Sequence, residues 1–266
     1  MVMEDGWTAG GRHFRSRLIV GTGKYETGAI MREAIRQSGA ELVTVAVRRV
    51  NLDRPDEPSL LDDLELDRIT LLPNTAGAHT VDEAVQLARL ARAAGLGDLV
   101  KLEIIGDDET LWPDPVATVE ATARLAADGF VVLPYTSPDP VLARRLVAAG
   151  AATVMPLGSP IGSGQGVPDF HMVSIIRQRV SVPVIVDAGI GAPSDAALAM
   201  EAGADAVLVN TAIARAQDPP LMAAAMAQAV QAGRSGYLAG RIPRRAYATP
   251  SSPVEGQVGR PATGSH

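Results

Sequence analysis

Residues 99–107, LVKLEIIGD, form an apolar run that carries two charges in its middle, Lys101 and Glu103. A run of this length and composition is typical of a strand that is buried on both faces. Side chains alternate along a strand, so the two charged residues share one face, and Val100, Leu102 and Ile104 occupy the other. Such a strand belongs in a parallel sheet covered by helices, and the neighbouring sequence should therefore alternate between strands and helices.

This alternation extends along the chain. Short runs rich in Val, Ile and Leu are separated by longer amphipathic stretches. Most of the runs lack strict alternation of apolar and polar residues, which again favours strands buried on both faces. Eight candidate strands follow, at residues 17–23, 41–49, 69–75, 99–106, 130–136, 152–157, 184–188 and 206–211.

The stretches between the candidate strands have helical spacing. The clearest, at 80–94, has an acidic first turn and is followed by Gly95. Similar patterns predict helices at 114–128, 139–149, 194–202 and 219–232. The polar segment 51–67 predicts only a short helix near 59–64. Residues 12–16 predict a small strand that precedes the eight main strands.

Eight β/α units in about 250 residues are the pattern of an α/β fold of the (β/α)8 TIM-barrel type. A doubly wound sheet is the alternative, because the same alternation can build it, but GTGKYETG after the first strand lacks the G-x-G-x-x-G spacing. We expect a single catalytic domain over residues 1–256, with a short N-terminal extension before the first strand and a disordered tail at 257–266.

The composition excludes several classes of function. The net charge of −6 and the isoelectric point near 5.3 argue against nucleic acid or an anionic membrane as the main partner. The chain has no cysteine, so disulfides and thiolate chemistry are excluded, and its four histidines lack the spacing of metal ligands, so we expect no metal site. Without an apolar run of signal-peptide length near residue 1, a cytoplasmic location is expected.

Lysine is rare in this chain: only Lys24 and Lys101 stand among 24 basic residues, the rest being arginine. In a barrel, Lys101 and Glu103 would point into the interior. Burial lowers the pKa of a lysine amine while a neighbouring acid opposes that change. A neutral amine can attack a carbonyl, which arginine cannot do, so Lys101 is a candidate Schiff-base lysine. The alternative is a structural ion pair with Glu103. Lys24 competes for the same role, but its glycine-rich turn predicts a solvated side chain.

The ends of the last strands carry further candidates. Asp187 ends the seventh strand, on the side where barrels place their active sites, and is either a proton-transfer group or a cap for a loop. Glycine-rich or small-residue loops follow the last three strands, at 158–166, 188–195 and 210–213. Backbone N–H groups in such loops, and helix N-termini, bind anions. The residues alone therefore predict a barrel enzyme that forms an imine with a sugar phosphate.

The chain also resembles a known family, the thiazole synthases of thiamin biosynthesis. The resemblance covers roughly residues 14–256 and leaves the first dozen residues and the end of the chain unmatched. It is carried, in order along the chain, by SRLIVGTGKY, VTVAVRR, LLPNTAGA, VKLEIIGD, DPVATVEA, GFVVLPYT, MPLGSPIGSGQG, VPVIVDAGIG, GADAVLVNTAIA and AYATPSSP.

The resemblance implies an activity. The family condenses 1-deoxy-D-xylulose 5-phosphate with dehydroglycine, a glycine-derived imine, and takes sulfur from the C-terminal thiocarboxylate of a sulfur carrier protein. The product is a thiazole phosphate carboxylate, the precursor of thiamin. The family needs no metal or other cofactor and forms homotetramers. A further enzyme, either a glycine oxidase or a radical tyrosine lyase, must supply the imine.

The resemblance also implies roles for individual residues. The Schiff-base lysine falls on Lys101, and the acids that move protons fall on Glu103 and Asp187. Contacts to the sugar phosphate fall on the following residues: Gly162, Ala188, Gly189, Asn210 and Thr211. The segment 51–67 and the C-terminal region are expected to border the entrance used by the carrier's tail.

Two other functions remain open at this point. A class I aldolase-type lyase would use the same fold, the same lysine and the same phosphate-binding loops to cleave a carbon–carbon bond. A non-catalytic barrel that binds a sugar phosphate and serves as an interaction scaffold would not need the amine chemistry.

Overall fold

The eight apolar runs each contain a strand, and these strands lie side by side in one parallel sheet. The structure is a computed structural model that describes residues 5–50, 60–249 and 251. The strands of the described residues, in chain order, are β1 (Trp7–Ala9), β2 (Arg12–Phe14), β3 (Leu18–Gly21), β4 (Leu42–Ala46), β5 (Thr70–Asn74), β6 (Leu99–Leu102), β7 (Ile105–Asp107), β8 (Trp112–Pro113), β9 (Val131–Thr136), β10 (Met155–Pro156), β11 (Ile185–Asp187) and β12 (Ala206–Val209).

The sheet rolls into a nearly closed barrel. Its strand order is β10-β9-β6-β5-β4-β3-β12-β11, and the pairs are parallel. Isolated parallel bridges from Val154 to Val184 and from Leu157 to Asp187 join the two ends of this order. The TIM-barrel prediction is confirmed, and the doubly wound sheet is excluded because its edge strands would lie far apart.

Helices cover the barrel on the outside. They are α1 (Gly28–Ser38), α2 (Val81–Ala93), α3 (Pro115–Ala127), α4 (Pro140–Ala148), α5 (Phe170–Arg179), α6 (Pro193–Glu201), α7 (Thr211–Ala214) and α8 (Pro219–Ala239). Several begin at an Asp or Thr whose side chain accepts a backbone N–H, with Pro at the first helical position in α3, α4 and α8.

Two helix predictions need correction. Helix α8 continues to Ala239, seven residues past the predicted end, and Gly233, the first residue beyond that end, is still buried. Helix α1 was not predicted, although Met31, Ala34, Ile35 and Ser38 are buried at helical spacing. The short helix expected near 59–64 is a 3-10 helix at Leu60–Asp63.

The fourth predicted strand is also shorter than expected. Strand β6 ends at Leu102, and the residues beyond it form a small antiparallel hairpin of β7 and β8. The ladder stops because Glu103 pairs with a side chain instead of a strand. The Thr75 hydroxyl accepts a hydrogen bond from Glu103 N and donates one to Glu103 O, both at 2.8 Å.

The barrel has an apolar interior layer that is closed at the amino ends of the strands. Inward-facing residues from all eight barrel strands pack there with Trp7 and Phe14 of the β1–β2 hairpin: Ile19, Leu42, Leu72, Leu99, Leu133, Met155, Ile185, Ala206 and Leu208. The small strand predicted at 12–16 is therefore β2, half of a plug beneath the barrel. The end of the chain, including the tail predicted at 257–266, lies outside the described residues.

The second layer holds the charged side chains. Leu99 and Ile185 point into the barrel, so Lys101 and Asp187, each two positions further along its strand, do so as well. Val100 and Leu102 point the other way and pack against α2 and α3. The predicted division of the LVKLEIIGD faces is therefore confirmed. No helix in the described ranges has both the length and the apolar character needed to cross a bilayer.

Candidate active site

One cavity of about 530 Å³ opens at the carboxyl ends of the barrel strands. Such a volume suits a small phosphorylated sugar. All eight residues that were predicted to form a site line it: Lys101, Glu103, Gly162, Asp187, Ala188, Gly189, Asn210 and Thr211. The structure thus gathers residues that are up to 110 positions apart in sequence around a single space.

At the base of this cavity, one amine faces two carboxylates. Lys101 Nζ lies 2.6 Å from Asp187 Oδ2 and 3.6 Å from Glu103 Oε2. All three side chains are buried. Both distances are within the range of an ion pair, so the negative charges of the two carboxylates hold the amine in place.

The pKa of Lys101 is raised above its ordinary value. Burial alone lowers this pKa, but the charges of Asp187 and Glu103 together outweigh burial. The sequence led us to expect that burial would compete with one acid, Glu103. Because Asp187 adds a second negative charge, the net change in the Lys101 pKa is upward. The amine is therefore protonated in the empty site, and it must pass its proton to a neighbour before it can attack a carbonyl.

Glu103 is the carboxylate best suited to accept that proton. Its pKa is raised by burial and by the negative charge of Asp187, with Lys101 acting in the opposite direction. Thr75 fixes its backbone through the two hydrogen bonds that end β6. Because Thr75 is itself fully buried, the carboxylate is held on a rigid support. The role of Thr75 was missed, since a contact across 28 positions leaves no local signal in the sequence.

Tyr135 adds an aromatic wall next to the amine. Lys101 Nζ lies 5.4 Å from the centre of its ring, within the range of a cation–π interaction. Burial, followed by the charges of Asp187 and Glu103, raises the pKa of its hydroxyl, so this group remains protonated. The hydroxyl donates a hydrogen bond to Leu111 O at 3.4 Å.

The loops at the cavity's rim have unusual backbone conformations. In the described residues, three non-glycine residues have positive φ: Lys24, Leu111 and Ala188. Lys24 and Ala188 line the cavity, and Leu111 accepts the Tyr135 hydrogen bond. Strain of this kind persists where the surrounding structure enforces it, and it is common at functional sites.

Two glycines of the rim are required by close packing or backbone conformation. Gly189 has φ of 79°, and a Cβ there would lie 2.4 Å from Ser159 N. Gly162 has φ of 76°, and a Cβ there would extend towards Lys24 Nζ and Thr211 Oγ1. Within the described part of the chain, the N–H groups of Gly162 and Gly189 donate no hydrogen bond to protein. Both are available to an anion.

An aspartate in the first turn of α6 binds the backbone ahead of that helix. Asp195 Oδ2 accepts hydrogen bonds from Gly191 N and Ala192 N, each at 3.0 Å. Asp195 thus satisfies the N–H groups of Gly191 and of the N-cap residue Ala192, directly ahead of Pro193 at the start of α6.

Asn210 holds the loop after β3. With its amide oriented so that both polar atoms are satisfied, Asn210 Nδ2 donates to Gly21 O at 3.3 Å and Gly23 O at 3.0 Å. Gly21 has no side chain, and a Cβ there would lie 2.8 Å from Asn210 Cγ. The side chain of Asn210 therefore acts on the GTGKY loop, which leaves its backbone to face the cavity.

Lys24 was expected to be solvated, and it is exposed, but it also lines the cavity. Its Nζ donates a hydrogen bond to Thr211 Oγ1 at 3.4 Å. The sequence signal that could have identified it is the same rarity of lysine that identified Lys101.

Comparison with known proteins gives a consistent result. The family described as "Thiazole biosynthesis protein ThiG" matches residues 8–253. A thiazole synthase of Anoxybacillus flavithermus is 58% identical over 243 residues, which are 91% of this chain and 95% of the relative. One from Geobacter sulfurreducens is 57% identical over 249 residues, 94% of this chain and 96% of the relative. A crystal structure of the Amycolatopsis orientalis BexX/CysO complex contains a chain 37% identical to this one, with a TM-score of 0.81, covering 91% of this chain and 98% of its own.

Proposed function

The chain belongs to the thiazole synthase family of thiamin biosynthesis, and from this membership we propose that it builds the thiazole through an imine on Lys101. The proposed reaction condenses 1-deoxy-D-xylulose 5-phosphate with dehydroglycine and with sulfur from a thiocarboxylated carrier protein. The product is the thiazole phosphate carboxylate. In enzyme terms the protein is a sulfur-transferring transferase.

The observation that carries the proposal is the buried amine between two carboxylates at the base of the cavity. A structural ion pair would need one acid, whereas Lys101 has Asp187 at 2.6 Å and Glu103 at 3.6 Å. With two acids and one base in a confined space, a proton can be relayed away from the amine and returned later. This is the requirement for making and then resolving an imine.

The first step forms a carbon–nitrogen bond. Protonated Lys101 gives its proton to Glu103, whose raised pKa makes it the better acceptor. The neutral amine attacks the ketone carbon of the sugar. The carbonyl oxygen then takes up two protons, one from the attacking nitrogen and one from Glu103, and leaves as water. The resulting imine carries the positive charge that the ammonium carried before, so Asp187 stabilises both states.

Later steps move protons along the sugar. The carbonyl must shift along the chain before sulfur and dehydroglycine can be incorporated, which requires removal and return of protons at carbon. Glu103 and Asp187 lie on either side of Lys101 Nζ and are our candidates for both transfers. Tyr135 forms part of the adjacent wall and helps to exclude water.

The phosphate lies at the rim in this proposal, bound by the backbone around Gly162, Ala188, Gly189, Asn210 and Thr211. The available N–H groups of Gly162 and Gly189 support this assignment. A charged group held at the rim would orient the sugar with its ketone towards Lys101.

The sulfur donor must be a protein with a flexible tail. The BexX/CysO complex supports a protein partner for this fold. We propose that the carrier's tail enters between the segment 51–67 and the C-terminal region, although residues 51–59 and most of the C-terminal region lie outside the described residues. A homotetramer in the cytoplasm, and a separate enzyme that supplies dehydroglycine, complete the proposal.

The proposal is tested by reconstitution with borohydride trapping. The protein, the sugar phosphate and dehydroglycine are incubated with and without thiocarboxylated carrier, and parallel samples are reduced with borohydride. We expect a covalent sugar adduct in both cases and thiazole product only with the carrier. Carbon–carbon cleavage of the sugar without the carrier would favour the aldolase alternative, and no adduct under any condition would favour the non-catalytic scaffold.

A further inference from the structure

Lys24 occupies a backbone position that costs free energy for any residue with a side chain. Its φ is +70°, in the left-handed region that glycine adopts most easily. Glycines stand nearby in the same loop, at Gly21 and Gly23, so the loop is otherwise built from small residues. A lysine at the strained position indicates that its side chain has a use there.

The amine of Lys24 lies between two of the loops that line the cavity. It donates a hydrogen bond to Thr211 Oγ1 at 3.4 Å, which is long and therefore weak. A Cβ built on Gly162 would lie 3.3 Å from the same amine. An ammonium has three donors, so this contact leaves two for a ligand in the cavity.

Lys24 also differs from Lys101 in its electrostatic surroundings. Among the described residues, no carboxylate lies within ion-pair distance of Lys24 Nζ, whereas Lys101 faces two. The acids of the cavity wall, Glu103 and Asp187, are both at the Lys101 end, and the exposed cations Lys24 and Arg215 line the wall elsewhere. The cavity therefore suits a molecule with a reactive carbonyl at one end and an anionic group at the other.

The loop that carries Lys24 is held in place from the end of the neighbouring strand, β12. Asn210 Nδ2 donates to the carbonyls of Gly21 and Gly23, directly before Lys24. The amine is thus attached to a fixed backbone rather than to a free loop, and the entropy lost when it binds a ligand is reduced.

We propose that Lys24 binds the phosphate of the ketose phosphate and sets the preference of the site for a phosphorylated sugar. This inference rests on the proposed function for the identity of the sugar. On binding, the phosphate oxygens take the place of Thr211 Oγ1 as acceptors of the Lys24 hydrogen bonds. The backbone N–H groups of Gly162 and Gly189 contact the same group, and Lys24 adds the charge that backbone donors lack.

The test compares two sugars, 1-deoxy-D-xylulose 5-phosphate and unphosphorylated 1-deoxy-D-xylulose, in borohydride trapping. The variants are Lys24→Gln, which removes the charge, and Lys24→Arg, which retains it. Arg144→Gln, on exposed α4 outside the cavity, controls for the loss of one positive charge. The measured quantity is the sugar concentration that gives half-maximal trapping.

We expect Lys24→Gln to raise this concentration roughly 10- to 100-fold for the phosphorylated sugar, as loss of one charged hydrogen-bond donor predicts. The value for the unphosphorylated sugar and the maximal trapping should change less than about threefold, because Lys101 is untouched. Lys24→Arg should retain most of the preference, and Arg144→Gln should match the wild type. An unchanged preference in Lys24→Gln would overturn the inference, and so would an equal loss for both sugars, which would indicate a purely structural lysine.

A second measurement separates this inference from the proposed function. Binding of inorganic phosphate, measured by calorimetry, should be about tenfold weaker in Lys24→Gln than in the wild type. If the wild type traps neither sugar, the proposed imine chemistry fails, yet the phosphate affinities still decide the role of Lys24. Equal phosphate affinity in the two proteins would contradict it.

Discussion

Each end of the barrel buries a basic side chain, but the groups that surround these two side chains differ. Arg17 at the amino end is 6% exposed and Lys101 at the carboxyl end is 5% exposed. Arg17 Nη1 donates to Asp205 O at 2.6 Å, and Nη2 donates to Asp5 Oδ1 and Gly6 O, both at 2.8 Å. Lys101 instead faces two carboxylates, with Nζ 2.6 Å from Asp187 Oδ2 and 3.6 Å from Glu103 Oε2.

The difference shows what makes a buried cation structural or reactive. Arginine keeps its proton at any physiological pH, and its planar fork matches several fixed acceptors at once. Such a group joins the N-terminal segment at Asp5 and Gly6 to the backbone at Asp205. A lysine can lose its proton, and the two nearby carboxylates can accept it. In the mechanism that we propose, equal burial therefore serves stability at one end and chemistry at the other.

The largest expected effect is at the reactive end. Lys101→Arg retains the positive charge but removes the nucleophile, so borohydride trapping should vanish and turnover should fall by about 10³-fold or more. Trapping is followed by intact-protein mass, and circular dichroism confirms the fold. Trapping at the wild-type level in this variant would remove Lys101 from the mechanism.

Removal of either carboxylate should be less severe. Glu103→Gln and Asp187→Asn should still form the imine, but overall turnover should fall about 10²- to 10⁴-fold, the usual range for general acid–base groups. Since the two acids raise the pKa of Lys101, each variant should shift the pH profile of trapping to lower pH. Steady-state assays and trapping across pH 6–10 provide the measurements.

A small effect of both substitutions would contradict the assignment of proton transfer to Glu103 and Asp187. If neither variant lowered turnover more than about tenfold, their effect would be below that expected of general acid–base catalysis. The two residues would then serve only to balance the charge of Lys101.

The opposite substitution at the amino end of the barrel, arginine to lysine at Arg17, should lower stability and leave activity unchanged. Arg17→Lys cannot reach both Asp205 O and Asp5 with one nitrogen, so the free energy of unfolding should fall by about 1–3 kcal/mol. Chemical denaturation measures this change. An Arg17→Lys variant as stable as the wild type would contradict the structural role of Arg17. A variant that stayed folded but lost borohydride trapping would contradict the assignment of the chemistry to the other end of the barrel.

The smallest effect concerns acid stability. Hydrogen bonds from Arg234 and Arg17 lower the pKa of Asp5 to about 2, from 3.8. A lowered pKa in the folded state contributes stability above pH 3.8 that is lost as the pH falls towards 2. Asp5 is partly exposed, so we expect about 1 kcal/mol or less.

This contribution can be isolated with one substitution. The difference in unfolding free energy between wild type and Asp5→Asn should shrink between pH 5 and pH 2.5. A difference that stays constant over this range would show that Asp5 has the same pKa in the folded and unfolded states and that its ion pairs contribute nothing to acid stability.

Sequence patterns predicted much of this fold because its elements are locally coded. The alternation of Leu99, Val100, Lys101 and Leu102 places each residue on its observed face. Helix starts were within a residue or two where Thr80, Asp114 and Asp139 cap them. Strand ends were overestimated because apolar character continues into the loops, as in β10, which is only Met155–Pro156.

Long-range contacts could not be predicted. The distance from Lys101 to Asp187 depends on how the sheet closes, which joins residues 86 positions apart. The pairing of Thr75 with Glu103 leaves no mark in a window around either residue. The pKa of Lys101 is raised because Asp187 adds a second negative charge beside the amine. The alternation of residues along one strand does not reveal that contact.

The account depends on one amine, and one measurement tests it directly. The wild-type protein is reduced with borohydride in the presence of 1-deoxy-D-xylulose 5-phosphate, digested, and mapped by mass spectrometry. The chain has only two lysines, so the assignment between them is unambiguous. The account predicts the adduct on Lys101, and an adduct on Lys24 with Lys101 unmodified would contradict it.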